Sequence, residues 1–113
     1  MLAVSPYAKI LLAIEPVDFR KGMDALVRLC QHQFSQAPFE GHFFIFRNRR
    51  KTDIKVLHYD RQGFCLFHKR LSTGRFNHWP TAQMPLISLS ETELHVLLAN
   101  GNPLAIEEQA SWR

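Results

Sequence analysis

The chain has 113 residues, 46% hydrophobic and 21% charged, with two Cys and a formal net charge of +4. Those figures suit one soluble globular domain and exclude a disordered tail or a disulfide-stapled scaffold. No apolar run approaches the ~20 residues that span a bilayer, so no membrane segment is expected.

The opening segment "MLAVSPYAKILLAIEPVD" lacks a basic leader and a small-residue cleavage site, which argues against a signal peptide. With two Cys and no disulfide framework, a reducing cytoplasm is the expected compartment. "KILLAIEP" reads as a short buried strand stopped by Pro16. Asp18 suits a helix N-cap, because its carboxylate can accept from the free amides of the first turn. The following "FRKGMDALVRLCQHQF" repeats apolar residues at helical spacing and should lay Met23, Leu26, Val27 and Cys30 onto a sheet. Gly22 weakens that helix.

"SQAPFEG" reads as a loop. Four strand-like runs follow: "HFFIF", "DIKVLHY", "FCLFHKRL" and "RFNHW". "NRRKT" joins the first two. "DRQG" joins the next two as a type I turn with Gly63 left-handed. "STG" joins the last two through Gly74. The pattern predicts an antiparallel meander. "LISL" is a candidate further strand, and Ser90 with Glu93 forms a capping box ahead of "TELHVLLAN", with Gly101 as its C-cap. The tail "NPLAIEEQASWR" has no strong pattern. The fold class is α+β: an antiparallel meander sheet packed on one side against an N-terminal and a C-terminal helix, as a single domain over 1–113.

Charge is unevenly spread. Residues 43–79 hold nine of the 14 Lys and Arg but only two of the 10 Asp and Glu. Arg47, Arg49, Arg50, Lys51 and Lys55 crowd the "FRNRRKTDIK" hairpin, and Lys69, Arg70 and Arg75 follow. Such a field favours a polyanionic partner. Arg suits phosphate because its planar fork donates two hydrogen bonds at once. Nucleic acid, an acidic protein surface and plain solubility at a hairpin tip all fit the composition.

Other chemistry finds little support. Cys30 and His32 do not share a helix face, and Cys65 and His68 point to opposite faces of a strand. No metal site and no cofactor site follow from those spacings. The acids are scattered, each with a role as cap, surface residue or turn. No Gly-rich phosphate loop is present, and no catalytic constellation emerges. The reading is of a non-enzyme.

Three stretches align in order and spacing with a known family: "DFRKGMDAL", "GHFFIFRNRRKTDIKVLHYDRQGFCLFHKRLSTGRFNHWP" and "LHVLLANG". Over about residues 8–101 the chain resembles the accessory protein of the second reading frame of IS-sixty-six type bacterial insertion sequences, often called TnpB. An RNA-guided nuclease family that shares that label shows no resemblance. The resemblance implies a protein that assists transposition beside a separate DDE transposase, without being the catalyst. The family's recurrent positions fall on Asp18, Arg20, Lys21, Phe46, Arg47, Arg50, Lys55, Asp60, Gly63, Lys69, Arg70, Leu71, Gly74, Arg75 and Phe76. Residues 102–113 depart from the family's usual ending.

Arg20 and Lys21 are notable because positive charge in a first helical turn opposes the helix dipole. Either they reach a nearby acid or they point outward at a ligand. The nucleic-acid-contacting set expected from the sequence is therefore Arg20, Lys21, Arg47, Arg49, Arg50, Lys51, Lys55, Lys69, Arg70 and Arg75. The expected partners are DNA and the transposase or another protein of the element. The alternative is an adaptor that docks the transposase without touching DNA. A homodimer through an exposed edge strand is a further expectation.

Overall fold

The computed structural model describes residues 8–34 and 41–105. The first strand, β1 (Ile10–Ala13), leads through a 3-10 turn at Phe19–Lys21 into helix α1 (Gly22–His32). Three strands follow, β2 (Phe43–Arg47), β3 (Asp53–Tyr59) and β4 (Phe64–Arg70). The chain ends its described course with β5 (Leu86–Leu89), α2 (Glu91–Leu98) and a 3-10 turn at Pro103–Ala105. Most of the expected "SQAPFEG" loop and of the tail lies outside the described residues.

One five-stranded sheet runs in the order β4-β3-β2-β1-β5. The meander of β2, β3 and β4 is antiparallel as expected. The sheet as a whole is mixed, because β1 pairs with β2 in parallel and with β5 antiparallel. A parallel pair needs a crossover, and α1 supplies it. The expectation of a purely antiparallel sheet is corrected accordingly.

The two helices serve different cores. Leu26 and Cys30 of α1 pack with Leu11, Ala13, Phe44, Phe46 and Leu57, with Met23 and Val27 against them. Leu94, Leu97 and Leu98 of α2 pack with Ile10, Leu12, Phe43, Ile45, Ile54 and Val56. Successive strand residues alternate between these clusters, so the helices cover opposite faces rather than one side. That explains why β1 and the first four residues of β2 are buried at every position.

"RFNHW" is not a strand. It crosses the α2-side core as a strap, anchored by the buried Phe76 and Trp79. The Phe76 amide donates to the Lys51 carbonyl at 2.6 Å, and Trp79 Nε1 donates to the Ala13 carbonyl at 2.9 Å. Those bonds go to two different places, so no ladder forms. Such a strap is needed because β4 and β5 lie at opposite edges of the sheet.

Helix ends follow their chemistry. The Ser90–Glu93 capping box is present, with Glu93 N donating to Ser90 Oγ at 3.1 Å and Ser90 N to Glu93 Oε1 at 2.7 Å. At the other end of α2, Gly101 N donates to the Val96 carbonyl and Asn100 N to the Leu97 carbonyl, a Schellman pair. The left-handed residue there is Asn100 (φ 63), not Gly101. Gly101 fits for another reason: a Cβ on it would lie 2.9 Å from Val96 Cγ1 and force a shift there.

The 60–63 turn also differs from expectation. Arg61 (φ 82), rather than Gly63, is left-handed. Asp60 Oδ1 accepts from the Gln62 and Gly63 amides and so fixes the turn from its first residue. Gly74 (φ 80) turns the chain after β4 as expected.

Candidate nucleic-acid interface

The β2–β3 hairpin loop is organised by Asn48. Its Oδ1 accepts from the Thr52 amide at 3.0 Å and the Asp53 amide at 3.1 Å. Its backbone carbonyl accepts from the Lys51 amide at 3.1 Å, and Lys51 takes a left-handed conformation (φ 65). The loop is therefore a formed platform, and Arg49, Arg50 and Lys51 are exposed on it. Sequence reading did not single out Asn48. The available signal was an Asn at the head of a short loop, where its side chain can bond backbone amides within the loop.

Asp53 is the polar hub below that loop. It is 3% exposed and sits on the α1 side of the sheet. Its carboxylate accepts from Thr52 Oγ1, from Arg70 Nε at 3.0 Å and from Asn48 Nδ2 at 3.3 Å, and it meets His68 Nε2 at 2.6 Å. Burial pushes its pKa up, but the hydrogen bonds from Thr52, His68 and Arg70 outweigh that and hold it at about 2. Register explains the Arg70 contact, since Asp53 lies opposite Arg70 in the β3–β4 ladder.

The segment leading into α1 forms the facing wall. Val17 N donates to the Arg47 carbonyl at 2.9 Å, tying this segment to the end of β2. Asp18 caps the 3-10 turn through the Arg20 amide at 2.9 Å. Gly22 (φ 79, ψ −171) then opens α1 in a backbone region essentially restricted to glycine, so the turn and the helix do not run on as one. Arg20 therefore precedes α1 rather than sitting in its first turn. Its guanidinium reaches back to Asp18, with Nε–Oδ1 at 3.0 Å and Nη2–Oδ2 at 2.9 Å. That side-chain bond holds the Asp18 carboxyl well below the usual carboxylate range.

Between these walls lies a groove of about 630 Å³. Arg20, Arg49, Arg50 and Arg70 line it, with Asp18 and Asp53. The four arginines come from three separate parts of the sequence. Two are oriented by carboxylates, and each keeps N–H donors to spare, because guanidinium carries five. Arg49 and Arg50 have no side-chain hydrogen bond or ion pair among the described residues.

The other expected contact residues sit elsewhere. Arg47 points to the α2 side, where Nη1 donates to the Phe76 carbonyl at 2.8 Å. Burial lowers its pKa. Lys55 is 8% exposed; its Nζ donates to the Phe19 carbonyl at 3.3 Å and lies 4.8 Å from the Phe19 ring centre. Lys69 donates to the Leu98 carbonyl at the C-terminus of α2, where a cation complements the helix dipole. Lys51 and Arg75 are exposed but do not line the groove. Lys21 is exposed and lines a neighbouring depression.

Among the described residues, no group of three or more His, Cys, Asp or Glu is placed to hold a metal ion. Burial pushes the Cys30 thiol up to about 12, so it stays protonated. The Cys65 thiol donates to Asp60 Oδ2 at 3.3 Å, which raises its pKa as well. No described helix is long and apolar enough to cross a membrane.

Comparison with known proteins places the chain in a family. Residues 8–107 match the family model described as IS66 Orf2 like protein. The chain belongs to that family. The match extends past Gly101, where the sequence resemblance was expected to end. The chain is similar to two uncharacterised proteins of Sinorhizobium fredii (strain NBRC 101917 / NGR234). It is 36% identical to y4hO over 99 residues, covering 88% of this chain and 85% of the relative. It is 32% identical to y4jC over 99 residues, covering 88% and 84%. No solved structure matches the chain. The family suggests an accessory role in transposition and is not a known catalytic family.

Proposed function

We propose that this protein assists transposition as a non-catalytic, cytoplasmic DNA-contacting partner of the element's transposase. The observation that carries this reading is the groove lined by Arg20, Arg49, Arg50 and Arg70. Arginine forks suit phosphate oxygens, and carboxylates behind two of them reduce the freedom lost on binding. Asp18 and Asp53 offset part of the charge, leaving Arg49 and Arg50 as the uncompensated pair. Lys51 and Arg75 extend the same positive surface around the hairpin tip. Arg47, Lys55 and Lys69 contribute chiefly by holding the hairpin and its neighbours in place. The two outer strands, β4 and β5, are where a second copy would add to the sheet.

The test is a gel shift with purified protein and element-end DNA at low salt, beside co-purification with the transposase. The wild type is expected to shift DNA, and Arg49→Ala/Arg50→Ala to shift it much less. If the wild type leaves DNA unshifted yet co-purifies with the transposase, the groove docks protein instead.

A further inference from the structure

Basic residues continue past the hairpin groove onto α1. Ala25, Arg28 and His32 recur at helical spacing on the face of α1 away from Leu26 and Cys30, and Lys21 precedes them in the 3-10 turn. Lys21, Arg28 and His32 are exposed. With Val17 and Asp18 they line a second depression of about 430 Å³. A third, of about 390 Å³, shares Leu29 and Gln33 with the second and Arg49 with the hairpin groove. Val17 and Asp18 line all three. The depressions thus adjoin one another around a single corner, from the hairpin tip to the outer face of α1.

The fold requires that outer face to be polar but does not require it to be positive. Asp24 stands four residues before Arg28, yet the two form no ion pair among the described residues. Lys21 occupies the N-cap position of α1 without any side-chain capping bond, where a cation opposes the dipole. Helix stability therefore does not account for Lys21, and Arg28, though a good helix former, is left without an acid partner among the described residues.

We propose that the three depressions form one track for the sugar–phosphate backbone of a nucleic acid, with Arg28 and Lys21 as its far phosphate contacts. This rests on the reading of the hairpin groove as a phosphate site. Six Lys and Arg line the three depressions against the carboxylates of Glu15, Asp18 and Asp53, and that excess of positive charge favours a polyanionic occupant. From residue 22 to residue 32 the helix rises about 15 Å. That equals the axial rise of about four base pairs of a duplex, at about 3.4 Å each.

The experiment is a salt titration of binding to a fixed duplex oligonucleotide. It compares wild type, Lys21→Ala/Arg28→Ala, the charge-preserving Lys21→Arg/Arg28→Lys, and Arg49→Ala/Arg50→Ala. All substituted side chains are exposed, and circular dichroism checks that each variant is folded. Each phosphate contact contributes about 0.9 to the slope of log K against log salt. The α1 alanine pair should flatten the slope by about 1.8, and the charge-preserving pair should keep it. If the α1 alanine pair matches wild type while the hairpin pair is flatter, the track ends at the hairpin and the proposal is overturned. If neither alanine pair changes the slope, the hairpin reading falls and this proposal falls with it.

Discussion

The Arg47 guanidinium carbon lies 4.9 Å from the centre of the Trp79 ring. The same guanidinium donates to the Phe76 carbonyl, so one arginine of the basic hairpin fastens the 75–79 strap over the α2-side core. A partly desolvated cation–π contact is worth roughly 1–2 kcal/mol, and a hydrogen bond from a charged donor adds a similar amount. Arg47→Ala should therefore lower unfolding free energy by about 2–4 kcal/mol in urea denaturation. Arg47→Lys should recover only part of that, because a lysine lacks the planar fork. Full recovery by lysine would mean that charge alone, not the stacked geometry, holds the strap.

Asp53 should make the protein acid-sensitive. Its folded pKa of about 2 lies below the ordinary 3.8. The stability it contributes is therefore fully present above about pH 4 and is lost as pH falls through about 2. Asp18 and Asp60 are depressed as well, so the wild-type profile alone does not isolate it. The difference between wild type and Asp53→Asn does. Thermal melts from pH 2 to pH 7 should show that difference shrinking in acid. At neutral pH the substitution should cost roughly 2–4 kcal/mol, as expected when a buried hydrogen-bonded carboxylate is replaced.

Gly101→Ala should destabilise the end of α2. The new methyl would meet Val96 Cγ1 at 2.9 Å and the Val96 carbonyl at 3.2 Å. Overpacking of this kind costs roughly 1–3 kcal/mol. In a Val96→Ala background the side-chain clash disappears, so the cost of Gly101→Ala should be smaller there. A double-mutant cycle with no coupling would show that the backbone shifts freely and that the close approach is unimportant.

Local patterns carried the strands, the capping box and the apolar stripe of α1 into the sequence reading. Ser90 and Glu93 sit three apart, and Met23, Leu26, Val27 and Cys30 recur at helical spacing, so neighbours in the chain settle those elements. Long-range choices were harder to read. The parallel pairing of Leu11 with Phe44 depends on where the crossover returns, which no local pattern encodes. A usable clue was present: "ILLA" and "FFIF" are apolar at every position, which calls for cover on both faces. "RFNHW" carried the aromatic content of a strand, yet Phe76 and Trp79 serve as separate anchors into a core. For the site, the loop between two strand-like runs put Arg47, Arg49, Arg50 and Lys51 together at a hairpin tip. It did not reveal that Arg47 and Lys55 are turned to opposite faces, because that follows from pleat and register. The four-arginine groove depends on tertiary placement of Arg20 beside the hairpin, which sequence separation conceals.

The most direct test of the central claim is a titration of the protein with DNA, followed through the arginine side-chain Nε–H resonances. Arg20, Arg49, Arg50 and Arg70 line the groove, whereas Arg47 is held by Phe76 and Trp79. The Arg49 and Arg50 signals should shift most, those of Arg20 and Arg70 should follow, and that of Arg47 should stay in place. A titration in which Arg49 and Arg50 do not move while the DNA is bound would contradict the account.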